Sequence, residues 1–199
     1  IFGRANIDGR PVVASADDFT VRGGAADAAL HRKFIQCEAM AHEYRLPLIR
    51  MIDGTGGGGS VKTLEDMGYT YIPHVPGWHE IIANLDTVPV VALALGPTAG
   101  LGAARVVASH YSIMVRGLSQ LFAAGPAVAA AIGDTLDREE LGGTDVHTRN
   151  GVVDDEVASE AEAFAAARRF LSYLPSSIHD RALRAECSDP VDRREESLL

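Results

Sequence analysis

Cysteine is scarce in this chain. Cys37 and Cys187 are the only two in 199 residues, and they show no metal-ligand spacing, so no metal centre is expected. Cys37 falls on an apolar helix face, where a reduced structural thiol is expected. Long apolar runs are also missing. Hydrophobic residues make up 47% of the chain, yet no segment offers the ~20 uninterrupted apolar residues that a membrane span needs. Basic residues are outnumbered, with 18 Lys and Arg against 27 Asp and Glu, for a net charge of -9. No basic cluster resembles a nucleic-acid footprint, so DNA, RNA and anionic membrane are excluded as expected partners. A small anionic ligand needs only a few local cations and stays open. There is no evident signal peptide and no initiator Met. The chain opens on Ile1-Phe2-Gly3-Arg4 and is expected to be a piece of a longer protein.

Glycine, by contrast, is plentiful and concentrated. Asp53-Gly54-Thr55-Gly56-Gly57-Gly58-Gly59-Ser60-Val61 follows the apolar run at 46–52, which reads as a buried strand. Glycine lets a ligand lie directly on the backbone, and consecutive N–H groups form a cradle for a negative oxygen. That oxygen could belong to a phosphate or to an oxyanion made by chemistry. Upstream, residues 1–16 alternate as a hairpin around the Asp8-Gly9 turn, the strand is expected to continue through 17–21, and Gly23-Gly24 breaks it. Leu30, Phe34, Cys37, Ala41 and Tyr44 form one helical face. Downstream, the pattern predicts a short helix at 60–68, an irregular Pro-rich segment at 71–78, a helix at 79–86, and a strand at 89–95 buried on both faces. A second glycine turn, Gly96-Pro97-Thr98-Ala99-Gly100-Leu101-Gly102, ends that strand. A helix at 101–109, a strand at 111–115 and a short apolar piece at 118–122 come next. Then follow a helix at 127–132 opened by Gly125-Pro126, a helix ending at Gly142-Gly143, a loop holding His147, and a helix at 156–173 stopped by Pro175. The fold class is α/β, with two strand ends carrying glycine.

Three familiar cradles fail on register. A P-loop needs a lysine directly after its second glycine. Counting from Gly54 that place holds Ser60, and counting from Gly56 the second glycine is Val61, so Lys62 is misplaced. Gly54, Gly56 and Gly59 satisfy a dinucleotide pattern formally, but a run of four glycines does so by chance. The second strand with its acidic end, expected ~20 residues on, is replaced by the Pro-rich segment around His74. A serine nucleophile elbow fails because Gly58-Gly59-Ser60-Val61 is followed by Lys62 where glycine is required. What survives is an oxyanion site without an attached nucleophile, with a second set of backbone donors at Gly96 to Gly100. His74, His79 and His110 are expected to be surface or structural residues, so no side-chain base stands out.

Several motifs in register carry a resemblance. Residues 7–24 (Ile-Asp-Gly-Arg-Pro-Val-Val-Ala-Ser-Ala-Asp-Asp-Phe-Thr-Val-Arg-Gly-Gly), Asp53 with its glycines, Leu95 to Gly100, Gly125-Pro126, Glu140-Leu141-Gly142-Gly143, Leu171-Ser172-Tyr173-Leu174-Pro175 and the tail 189–196 follow one order. Together they resemble the β-type carboxyltransferase subunits of biotin-dependent acyl-CoA carboxylases. The resemblance implies a crotonase (ClpP)-like spiral of ββα units, with residues 1–175 as the N-terminal, CoA-side domain and 176–199 as a linker towards a further domain. It implies an enzyme that moves a carboxyl group from carboxybiotin to the α carbon of an acyl-CoA through an oxyanion-stabilised enolate. The implied catalytic donors are Gly56, Gly57 and Gly58. Gly96, Pro97, Thr98, Ala99, Gly100, Gly125 and Pro126 would shape the biotin side, and Gly23, Gly24 and Lys33 the CoA end. Lys33 reads equally well as a solvated helix residue. Implied partners are a biotin carboxylase and biotin carrier subunit and the C-terminal carboxyltransferase domains of the same and neighbouring subunits, in a homo-hexameric core. The expected location is the cytoplasm or the mitochondrial matrix, with the cytoplasm favoured. A biotin-independent crotonase-like hydratase, isomerase or decarboxylase is the alternative. One departure stands out: where the family commonly has a Ser-Gly-Gly-Ala-Arg type sequence, this chain has Gly54 to Val61, which leaves open which glycines donate.

Overall fold

The computed structural model describes residues 1–24, 31–54, 65, 68, 78–182, 184 and 186–198. The expected helix at 60–68, apart from 65 and 68, and nearly all of the Pro-rich segment at 71–78 therefore lie outside the described residues.

A sheet in the order β1-β2-β3-β4-β6-β8 forms the centre. β1 (Phe2–Ile7) and β2 (Arg10–Ala16) pair antiparallel around the Asp8-Gly9 turn, as expected, with Ile7 opposite Arg10. Asp8 and Gly9 both have positive φ, 51° and 83°, the conformation a type I′ hairpin turn requires. β3 (Leu48–Ile52), β4 (Val90–Ala94), β6 (Tyr111–Val115) and β8 (Asp155–Val157) then add in parallel. Parallel pairing aligns the C-terminal ends of these strands along one edge, where ligands bind in open α/β sheets.

Side chains alternate between the two faces of the sheet. Val12, Ile49, Val91, Leu93, Ile113 and Val115 pack against Ala163, Ala166, Ala167 and Leu171 of α7 (Glu160–Ser172). On the other face, Val13, Leu48 and Val90 meet Cys37 and Ala41 of α1 (His31–Tyr44). Ile52, Ala92, Ala94 and Met114 meet Val106 of α3 (Leu101–Val107). All five residues of β4 are buried, so the expectation of a strand covered on both sides holds. α2 (Trp78–Thr87) packs beside α1.

Four expectations change. Residues 17–21 turn instead of continuing β2, because the Asp18 side chain accepts from both the N–H and the hydroxyl of Thr20. Such local bonds compete with a strand ladder. The second glycine turn contains a strand, β5 (Pro97–Ala99), which pairs in parallel with β7 (Gln120–Phe122) as a separate two-stranded sheet. His147 lies in a helix, α6 (Thr144–Arg149), rather than a loop. The helix expected from 156 starts at Glu160, capped by Ser159, whose hydroxyl accepts the Glu162 N–H at 3.3 Å. Residues 155–157 before it are captured by β6.

α4 (Pro126–Ala131) and α5 (Arg138–Gly142) complete the fold. α5 begins with a capping box between Asp137 and Glu140 and ends at Gly143, as the Gly142-Gly143 pair suggested. After Pro175, Ser177 is buried and the Ile178 N–H reaches Thr87 O at 3.0 Å. Every described residue from Ile178 onward is exposed.

Candidate functional site

At the C-terminal edge of the sheet, the glycine-bearing segments converge. β3 ends in Asp53-Gly54 and β4 ends at Gly96, and the Leu95 N–H donates to Ile52 O at 2.9 Å. The Ala99 N–H then donates to Gly54 O at 3.2 Å, so the turn after β4 is tied to the first residue of the glycine run after β3. Gly23-Gly24 joins them from β2, with positive φ of 64° and 67°. A Cβ on Gly24 would lie 2.2 Å from Asp53 O, and one on Gly54 would lie 2.6 Å from the Gly24 Cα. No side chain fits at either position. The absence of side chains there is explained by backbone packing, before any ligand is considered.

Gly96 is different in kind. A Cβ there would lie 2.1 Å from Asp53 Oδ1 and 2.6 Å from Asp53 Cγ, so the space is occupied by a carboxyl group. Asp53 Oδ1 is buried and accepts no hydrogen bond among the described residues. Burial, then the negative charges of Asp17 and Glu160, push the Asp53 carboxyl above its ordinary value. Nothing in the sequence pattern set Asp53 apart from the glycines after it, and only the pairing of β3 with β4 brings it onto Gly96.

The other implied residues distribute as follows. Pro97, Thr98 and Ala99 form β5; Thr98 is fully buried, and its hydroxyl donates to Gly96 O at 3.1 Å. The Gly100 N–H donates to Phe122 O at 2.9 Å, which locks the turn onto β7. Gly125-Pro126 leaves β7 and opens α4, with Gly125 as N-cap. Gly125 has an ordinary φ of -72° and nothing within 4 Å of a Cβ position. The fold itself therefore makes no demand for glycine there, and the backbone stays approachable. Lys33 is exposed on the first turn of α1. Among the described residues no recorded contact joins it to the glycine turns. Gly56, Gly57 and Gly58 lie outside the described residues.

Behind the edge is a polar cluster that sequence reasoning missed. Arg50 alternates with Leu48 and Ile52 towards α1 and is fully buried. It pairs twice with Glu38, Nε to Oε1 at 2.8 Å and Nη2 to Oε2 at 2.9 Å, and donates to Arg105 O at 3.0 Å. Asn84 on α2 adds a bond to Glu38 Oε2 at 2.9 Å. The Arg105 guanidinium lies 4.3 Å above the Phe34 ring and reaches Asp17 at 3.4 Å. A charged residue inside an apolar strand was the available signal, since such a residue survives burial only with a partner.

The expected structural histidines are partly explained. The Val90 N–H donates to His110 Nδ1 at 3.1 Å, so Nε2 carries the proton towards Leu85 O at 2.9 Å. His79 is exposed beside Glu80. His74 is outside the described residues. Cys37 is buried and unbridged, and burial raises its thiol to about 11, which makes it inert as a nucleophile.

Residues 1–199 match the family model described as the carboxyl transferase domain. The human mitochondrial propionyl-CoA carboxylase β chain is 32% identical over 196 residues, covering 97% of this chain and 35% of that relative. Methylmalonyl-CoA decarboxylase subunit alpha of Veillonella parvula is 30% identical over 202 residues, covering 100% of this chain and 38% of that relative. Among solved structures, transcarboxylase 12S with hydrolysed methylmalonyl-CoA bound matches with a TM-score of 0.78 at 25% identity, covering 94% of this chain and 36% of that one. The α/β crotonase-like fold expected above is thereby found. The chain spans about a third of the length of these relatives.

Proposed function

The chain belongs to the carboxyl transferase domain family, and from that premise we propose that it forms the CoA-side half of a site that carboxylates the α carbon of an acyl-CoA. The observation that carries this reading is the tie between Ala99 N–H and Gly54 O. It supports the reading because it ties the turn after one strand to the start of the glycine run after its parallel neighbour.

The backbone N–H groups of Gly56 to Gly58 hold the thioester oxygen as charge develops on it, and loss of one such donor typically costs ~3–4 kcal/mol of transition-state stabilisation. The α C–H bond breaks and a C–C bond to CO2 forms while that oxygen is held. A bound carboxybiotin would supply the CO2 and an acceptor for the α-proton, which leaves this chain's residues to hold and orient the thioester oxygen. Pro97 to Gly100, with Gly125 and Pro126, frame the side from which the biotin enters. Gly23, Gly24 and Lys33 line the CoA end, where the exposed Lys33 offers a positive charge to a phosphate.

The biotin comes on a carrier subunit, and the other half of the site comes from a C-terminal carboxyltransferase domain of the same or a neighbouring subunit. Support for such an assembly comes from α4, which buries none of its residues. Val128 and Ile132 are 57% and 84% exposed, an apolar surface left uncovered by the described residues. Residues 1–175 act as the domain and 176–199 as the connection onward, in a hexameric core located in the cytoplasm. The transcarboxylase 12S relative is itself described as a hexamer.

The test is Gly57→Val in the complete enzyme, assayed by decarboxylation of a malonyl-type CoA with free biotin. A bulky β-branched residue in the run displaces the donors, and turnover is expected to fall by ~10²-fold or more. Unchanged turnover contradicts the assignment.

A further inference from the structure

We propose that the Asp53 carboxyl is a spacer: it sets the distance between the glycine turn after β3 and the glycine turn after β4, and so positions the thioester pocket. The inference rests on the carboxyl-transfer reading above and adds to it a residue with a stated role. Asp53 would be a positioning residue, not a catalytic one.

Four contacts support it. The carboxyl occupies the volume a side chain at position 96 would need, 2.1 Å from a Cβ placed there. Its Oδ1 is buried and takes no hydrogen bond among the described residues, and the contact the structure records for the carboxyl is the steric one with Gly96. The flanking backbone is pinned on both sides, by Leu95 N–H to Ile52 O at 2.9 Å before the wedge and by Ala99 N–H to Gly54 O at 3.2 Å after it. Gly24 closes the third side, with no room for a Cβ against Asp53 O. A group wedged between two pinned turns sets their separation, because protein interiors transmit a change of even one methylene.

The chemistry explains why spacing matters. The donors of one turn must meet the thioester oxygen while the other turn presents the carboxyl source. Misplacement of reacting groups by 1 Å can cost ~10²-fold in rate. An unpaired carboxylate is an unfavourable filler for such a place. The neutral form suits it better, in line with the upward shift caused by burial and by Asp17 and Glu160.

The experiment is a double-mutant cycle in the full-length enzyme with its biotin partner, measuring kcat and KM for the acyl-CoA. Asp53→Ala removes the wedge and Gly96→Ala forces it aside. Each is expected to lower kcat by ~10²-fold, with KM for the acyl-CoA changing less than ~3-fold because Gly24, at the CoA end, meets the Asp53 backbone and not the side chain that is altered. The pair D53A/G96A puts the methyl of residue 96 into the vacated volume and is expected to recover ~10-fold over either single variant. Asp53→Asn keeps the shape and is expected to retain at least ~10-fold more activity than D53A. Losses that multiply in D53A/G96A overturn the spacer. So does an Asp53→Asn enzyme as impaired as D53A, which folds with an isosteric side chain and needs no repacking. A wild-type enzyme that binds acyl-CoA but transfers no carboxyl group overturns the reading beneath as well.

Discussion

Asp53 is shifted in the opposite direction to Asp18 and Glu156. Asp18 and Glu156 are both lowered by hydrogen bonds, from Thr20 and from Arg116, whereas Asp53 is raised by burial and by Asp17 and Glu160. A carboxyl whose folded value is raised binds its proton more tightly in the folded state. Its contribution to stability therefore improves as pH falls through that raised value towards the unfolded value near 3.8. Above the raised value, the ionised form is a burden. Asp53→Asn removes that burden, so the variant is expected to be more stable than the wild type at neutral pH, with the gap closing as pH drops. Urea denaturation at a series of pH values between 7 and 4 measures it. A constant gap would mean that Asp53 titrates normally. Arg105 is paired with Asp17 at 3.4 Å and tempers that neighbour's charge in both proteins alike.

Among the elements, β3 carries the most. It delivers Asp53 and Gly54 to the site at its end, and from its middle Arg50 holds α1 through Glu38 and the end of α3 through Arg105 O. α3 follows directly on the Gly96 to Gly100 turn, so this buried cluster anchors the helix behind one half of the pocket. Removing one partner of a buried pair is strongly destabilising, and Arg50→Met is expected to cost ~3–5 kcal/mol. Replacing both members, as Arg50→Met with Glu38→Met, leaves no unpaired buried charge and should cost less than Arg50→Met alone. Equilibrium denaturation of the three proteins decides it, and a double variant weaker than the single contradicts the account.

Local signals explain which elements were legible from sequence. The Asp8-Gly9 turn, the apolar run of β4 and the Gly142-Gly143 stop are read from a few adjacent residues. The turn at 17–21, the β5·β7 pair and the β8 strand depend on competition or on partners distant in sequence. Asp18 diverts its own backbone, and Asp155 to Val157 become a strand only because β6 offers an edge. For the same reason the glycine motifs were legible as strand ends, while the Asp53–Gly96 wedge and the Arg50 cluster appeared only once β3 and β4 lay side by side.

At the scale of the whole molecule, the chain matches about a third of relatives that are described as carboxylase or decarboxylase subunits. The apolar α4 surface follows directly on Gly125-Pro126, which we propose to face the biotin. Ile132→Glu introduces a charge at a position that is 84% exposed here, so the fold should tolerate it. In the full-length protein it is expected to weaken subunit assembly by ~10-fold or more, because an unpaired charge buried at an interface is costly. Light scattering after size-exclusion chromatography measures the outcome, and an unaltered oligomer would remove α4 from the interface.

The central claim is that the two glycine turns serve carboxyl transfer with biotin and not a biotin-free reaction of an acyl-CoA. The most direct measurement is the release of CO2 from a malonyl-type CoA by the complete enzyme, with and without free biotin. The account predicts turnover that rises with biotin and is close to background without it, since no side chain at the described edge is placed as a base. Equal turnover in the absence of biotin, or hydration or isomerisation of an acyl-CoA in its place, would contradict it.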